Sequence, residues 1–142
     1  MPFLSVNFLS IFLGAAAAWV FGAIYYTALS ASWLAAQGKS LEQCKAEQAA
    51  KQGFAKFAPF VIVFVAEVVI AYALYGILVH MGAFTLRAGI ISAALCWFGF
   101  VLTTSGVNNV FQGRKFMLTV IDAGGWLGAF LLIGAIVGWM GR

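Results

Sequence analysis

Two carboxyl groups stand where the chain accommodates them least. Glu67 lies within "VFVAEVVIAY" and Asp122 within "MLTVIDAGGW", each inside a long apolar run. An ionised carboxylate in hydrocarbon is costly, so such a group faces a protein interior, pairs with a donor, or carries its proton. Each is therefore a candidate for binding a proton, a cation or a small polar ligand. A pair of acids can also do general acid–base work, provided they come together at a substrate. Other chemistry lacks its residues. The one histidine, His80, is isolated near an apolar segment's end, and Cys44 and Cys96 are far apart with no CxxC spacing. A metal centre, a cofactor, a catalytic nucleophile and a disulfide framework are not expected.

The stretch before Asp122, "TTSGVNNVFQGRKF", offers it partners. If the chain turns at Gly113, Thr104 and Asp122 lie equally far from the turn and at the same depth. Thr103, Thr104 and Ser105 are then predicted within hydrogen-bond range of Asp122. Asn108 and Asn109 fall nearer the turn, where they can serve the last carbonyls of one helix and the first amides of the next. Asp122 should sit about 10 Å along its helix from Lys115, and Glu67 about 16 Å from Lys56. One polar core holding both acids is conceivable at these depths. The binding candidates are Asp122, Thr103, Thr104, Asn109 and Glu67. The plainer alternative makes Asp122 a structural acceptor that pins the hairpin, and Glu67 a neutral, hydrogen-bonded side chain tolerated between helices.

The elements that must position these residues follow from composition. Of 142 residues, 64% are hydrophobic and 8% charged, which excludes an ordinary water-soluble domain. Four apolar segments, at about residues 6–29, 59–81, 88–111 and 116–140, are each long enough for a helix to cross a hydrocarbon core of roughly 30 Å. None shows the alternation of a barrel strand. The expected fold is an all-α membrane protein, one domain over residues 1–142, in which four transmembrane helices form an up-and-down bundle. The first segment has no basic residue before it and is too long for a signal-peptide core, so it is expected to be retained.

Basic residues set the orientation. Lys39, Lys45, Lys51 and Lys56 fall in the connection 30–58, and Arg114 and Lys115 in the tight turn between helices 3 and 4. Only Arg87 and Arg142 fall on the other side. The positive-inside rule then places both basic connections in the cytoplasm and both termini outside. The net charge of +4 is a topology signal that needs no nucleic acid as partner. Within the connection, "SLEQCKAEQAAKQG" predicts a short amphipathic helix from about Leu41 to Gln52. Ser40 and Gln43 would form its capping box, Glu47 and Lys51 a pair, and Gly53 its end. Its thin apolar face suits rest on the membrane surface or on the bundle.

Small residues must carry much of the packing, because lipid offers little hydrophobic drive between helices. Gly14, Ala18 and Gly22 line one face of helix 1. Gly124 with Gly128 and Gly134 with Gly138 line helix 4, and Asp122, Gly125, Ala129 and Ile133 share its opposite face. Helix 4 is thus expected at the centre. Ser92, Cys96, Gly99, Thr103 and Gly106 form a similar stripe on helix 3. These stripes serve packing within one chain, or one of them, on helix 1 or 4, meets a second copy. Tyr25, Tyr26 and Trp33 have the composition of a headgroup anchor.

"GAIYYTALSASW", "TTSGVNNVFQGR" and "IDAGGWL" together resemble a small bacterial membrane family catalogued as domain of unknown function seventeen-sixty-one. The resemblance extends from helix 1 to the end of helix 4 and is most specific in the last hairpin. Thr103, Thr104, Asn109, Phe111, Gly113, Arg114, Ile121, Asp122 and Gly124 match its pattern. This chain departs with Tyr25-Tyr26 for a Trp-Tyr pair, Thr27-Ala28 for Ser-Pro, Gln112 for a frequent Glu, and Gly125 for an aromatic. The resemblance implies a multi-pass protein of the bacterial cytoplasmic (inner) membrane and brings no activity with it.

Three functions fit these residues. The first is a non-enzymatic, oligomeric bundle whose cytoplasm-facing polar pocket at Asp122 handles a proton, an ion or a small polar solute. The second is an accessory or structural subunit of a larger membrane complex. The third, ranked last, is a membrane enzyme acting on a lipid or quinone. The expected partners are the lipid bilayer and either further copies of the chain or a larger complex.

Overall fold

The computed structural model describes residues 5–142, so the first four residues of the expected domain lie outside the described ones. The described chain is helical and contains no strand. Four of its helical spans are long and apolar enough to cross a membrane: Phe8–Ala28, Ala58–Met81, Leu86–Phe111 and Phe116–Met140.

Helix α1 (Phe8–Ala28) starts at Asn7, whose Oδ1 accepts from the Ser10 amide at 3.1 Å. The same side chain donates through Nδ2 to the Met140 carbonyl at 2.7 Å, tying the start of α1 to the end of the last helix. After a break at Leu29 the chain forms a second helix, α2 (Ser30–Ala36), which hydropathy had merged into a connection. It ends at Gly38 (φ +71°), with amides Gly38 and Lys39 returning to the Ala35 and Leu34 carbonyls, both at 3.0 Å. That pattern needs a left-handed residue, and glycine supplies it without steric cost.

The predicted amphipathic helix is α3 (Leu41–Ala50), with the Ser40–Gln43 capping box in place. It stops earlier than expected, because Lys51 and Gln52 are extended and Gly53 instead opens a 3₁₀ turn, Gly53–Lys56. The shortened helix leaves Glu47 to pair with Lys39 at 3.1 Å instead of Lys51. No residue of α3 is buried, so it does not rest on the other helices.

Helix α4 (Ala58–Met81) carries Pro59 in its first turn, where a missing amide costs nothing. The third span is interrupted. It runs as α5 (Leu86–Cys96), a π-helical segment (Trp97–Leu102) and α6 (Thr103–Phe111). Helix α7 (Phe116–Met140) follows a turn at Gly113 (φ +65°).

Helix α7 is central, as its small residues on both faces predicted: it packs against α1, α4 and α5, and α1 also packs on α4. Its glycines are used within the chain. Gly124, Gly125 and Gly128 admit the rings of Tyr25, Tyr26 and Phe21 from α1. A Cβ on Gly134 or Gly138 would strike α5 backbone at Gly89. On α1, Gly14 faces Ile133 and Ala18 is buried, whereas Gly22 has open space beside it. Ile11, Leu74, Leu78, Phe130, Ile133 and Val137 fill the centre.

Candidate functional site

Asp122 is held by aromatic donors that the sequence had assigned to a headgroup anchor. Tyr26 Oη donates to its Oδ1 at 2.8 Å, and Trp33 Nε1 donates to the same oxygen at 3.0 Å. Tyr26 comes from the last turns of α1 and Trp33 from α2, so the extra helix after Leu29 is what delivers the second donor. The three rings Tyr25, Tyr26 and Trp33 stand edge to face in sequence, with centroids 5.2 and 5.6 Å apart. Around them Leu118, Ile121 and Ala36 make a small apolar cluster.

Both carbonyls flanking Asp122 also take an aromatic donor. Tyr25 Oη donates to the Ile121 carbonyl at 2.7 Å, and Trp97 Nε1 to the Ala123 carbonyl at 2.8 Å. The sequence "IDAGGW" makes room for this arrangement. A Cβ at Gly124 would come within 2.8 Å of Tyr25 Oη, and one at Gly125 within 3.0 Å of the Tyr25 ring and 3.2 Å of Tyr26 Oη. Two glycines just after an acid were the signal that rings close over it, and the sequence reading spent them on helix packing instead.

The predicted partners of Asp122 lie elsewhere. Thr103 and Thr104 are exposed and bond to their own helix. Thr103 Oγ1 donates to the Gly99 carbonyl at 2.8 Å, and Thr104 Oγ1 to the carbonyls of Phe100 and, at 3.4 Å, Val101. All three carbonyls belong to the π-helical segment, whose ladder is wider than that of an α-helix, so the threonines supply local donors to it. Ser105 forms no bond to Asp122 either. The depth estimate was sound, but a π segment rotates everything after it relative to a straight α-helix. The stripe from Ser92 to Gly106 therefore does not continue: Ser92 is buried against α7's neighbours, while Gly99 and Gly106 have open space beside them.

Asn109 ties the hairpin directly. Its Nδ2 donates to Thr119 Oγ1 at 2.8 Å, one turn before Asp122 on α7, instead of serving helix ends. Asn108 is exposed. The carbonyls at the end of α6 are satisfied by the turn itself, through Gly113 N to Val110 O at 3.0 Å and Arg114 N to Asn109 O at 2.9 Å.

Glu67 is 2% exposed, and its Oε2 is buried with no hydrogen-bond partner, contrary to the hydrogen-bonded Glu expected. It does not share a polar core with Asp122. On α4 it lies between Phe60, whose carbonyl accepts from Trp19 Nε1 at 3.0 Å, and Tyr75, whose hydroxyl accepts from the Asn7 amide at 3.2 Å. That interval brings it level with the part of α1 that carries Gly14, which faces Ile133 on α7. Asp122 is roughly ten residues, or about 15 Å, away along α7. No group of His, Cys, Asp and Glu among the described residues could hold a metal ion.

Asp122 thus has one oxygen fixed by two neutral donors and a second, Oδ2, to which no side chain donates. No Lys or Arg pairs with it. Such a group can accept a proton, a cation or the donor of a polar solute without losing the contacts that position it.

No curated protein and no solved structure matches the chain. A family model does. It matches residues 9–138, a range that contains Tyr25, Tyr26, Trp33, the hairpin and Asp122, and the chain belongs to that family, described as protein of unknown function DUF1761.

Proposed function

We propose that the chain is a membrane-spanning up-and-down bundle that handles a proton, an ion or a small polar solute at Asp122, without covalent chemistry. Its basic connections lie in the cytoplasm, its termini lie outside, and its host membrane is the bacterial inner membrane. The observation that carries this is the division of labour within one carboxylate. Oδ1 receives Tyr26 and Trp33, and Oδ2 keeps its lone pairs for something else. A purely structural strut would gain most by satisfying both oxygens. An enzyme working through both acids is less well supported, because Glu67 lies about 15 Å off along the helices.

Trp33 is a built-in reporter, since its indole touches the carboxylate. Purified protein in liposomes, titrated with protons, alkali cations and small polar solutes, should show a fluorescence response that Trp33→Phe lacks. Asp122→Asn should lose the response or any accompanying flux while eluting from a sizing column as the parent does. An Asn variant that falls apart instead would make Asp122 structural glue and remove the basis of the proposal.

A second function, an oligomer contact or docking face of an accessory subunit, draws support from α6. Its Thr103, Thr104 and Asn108 are exposed, and Gly99 and Gly106 on the same span meet nothing. The contact face would then be helix 3, whereas the sequence pointed to helix 1 or 4, whose glycines are largely occupied. A partner retained at fixed stoichiometry through detergent purification favours this function over the first.

A further inference from the structure

The end of the molecule that carries the basic loops also holds a cleft that Asp122 does not use. Gln37 and Gly38 at the end of α2 form one wall, Arg114 and Lys115 before α7 form the other, and Leu118 lies between them. Its volume is about 240 Å³, where a single water needs about 10–15 Å³. It is separate from the Asp122 site, with Leu118 one helical turn nearer the basic end.

Several observations give the cleft a charge preference. Arg114 and Lys115 have no carboxylate partner, since the one ion pair among the described residues is Lys39–Glu47. Their hydrogen bonds go to neutral oxygens: Arg114 Nε to Gln112 Oε1 at 2.8 Å and Lys115 Nζ to the Ala35 carbonyl at 3.5 Å. The amide nitrogen Nε2 of Gln37 is out of solvent and has no acceptor in the chain. Helix α7, 25 residues long, begins here without a side-chain cap. Two cations, an unused amide donor and an uncapped helix start all ask for an anion with several acceptor oxygens.

The surroundings identify its source. Phe111 and Phe116, on either side of the turn, are 88% and 80% exposed, so strongly apolar surface runs right up to the cleft. A free anion gains nothing from those rings, whereas a lipid whose phosphate enters the cleft lays its acyl chains beside them. We propose that this cleft seats the phosphate of an anionic phospholipid, with Arg114 and Lys115 supplying charge and Gln37 a hydrogen bond.

Native mass spectrometry of the full chain in neutral detergent tests this, with phosphatidylglycerol, phosphatidylcholine and inorganic phosphate as probes. The wild type should retain one phosphatidylglycerol per chain, at least tenfold more tightly than phosphatidylcholine. Arg114→Gln with Lys115→Gln should erase that preference, while Lys45→Gln with Lys51→Gln, which removes the same charge from exposed α3, should keep it. Gln37→Glu places a carboxylate in the cleft at nearly constant size and should also erase it. Equal losses from the two lysine and arginine pairs would reduce the effect to general charge attraction and overturn the site. Displacement of the lipid by millimolar inorganic phosphate would overturn the lipid as its occupant. A folded Gln37→Glu protein that still prefers phosphatidylglycerol overturns the assignment, whatever the double variant does. None of these outcomes depends on whether Asp122 binds anything.

Discussion

Tyr26 and Trp33 both donate to one oxygen of Asp122, whereas Glu67, which is more deeply buried, receives no donor within the chain. Hydrogen bonds to a charged group contribute about 1.5–3 kcal/mol each, and a buried polar group left unmatched costs roughly 1–3 kcal/mol. The two acids should therefore respond in opposite senses to removal. Glu67→Met keeps the length of the side chain and deletes the unmatched oxygens. Its unfolding free energy in mixed micelles is expected to equal the parent's or exceed it by about 1 kcal/mol. A loss of similar size would reveal a partner for Glu67 outside the chain.

Helices α5 and α7 meet through backbone, with Gly89 set against Gly134 and Gly138. No side chain can be inserted there without moving a helix axis. Gly89→Ala or Gly134→Ala should cost about 1–3 kcal/mol from overpacking, outweighing the gain of up to about 1 kcal/mol in helix propensity. Gly99→Ala and Gly106→Ala provide the contrast, since their Cβ atoms would enter open space. Those two should be neutral or slightly stabilising by the same unfolding measurement. All four glycines look alike in the sequence; the π segment at Trp97–Leu102 separates the packed pair from the open pair. Nothing in local composition marked that segment, because an inserted residue in a helix leaves the apolar pattern nearly unchanged.

The chain as a whole is tied at both ends of its central pair. Asn7 bonds to the Met140 carbonyl at one end of α1 and α7, and Tyr26 to Asp122 at the other, so the two helices run antiparallel over their full length. With Lys39, Lys45, Lys51 and Lys56 all in the connection after α2, the proposed orientation has a direct check. Cys44 lies on α3 within that connection, and Cys96 lies inside the third span. A membrane-impermeant maleimide should label Cys44 in inside-out vesicles and leave it unlabelled in right-side-out ones. Labelling from the opposite side would invert the topology and move the Asp122 site to the outer face.

Composition and hydropathy sufficed for the four long helices, the capped α3 and the central place of α7, because each depends on residues close together in the chain. The choice of Asp122 as the residue to watch was legible for the same reason: an acid in an apolar run is conspicuous wherever it ends up. Its partners were not legible. The threonines opposite it lay at the right depth and faced away, because the π segment had turned them, and the tyrosine and tryptophan that do reach it come from 96 and 89 residues earlier. Depth along a helix follows from counting residues, but the direction a side chain takes across the bundle depends on the rotation of every helix between, and only packing sets that rotation.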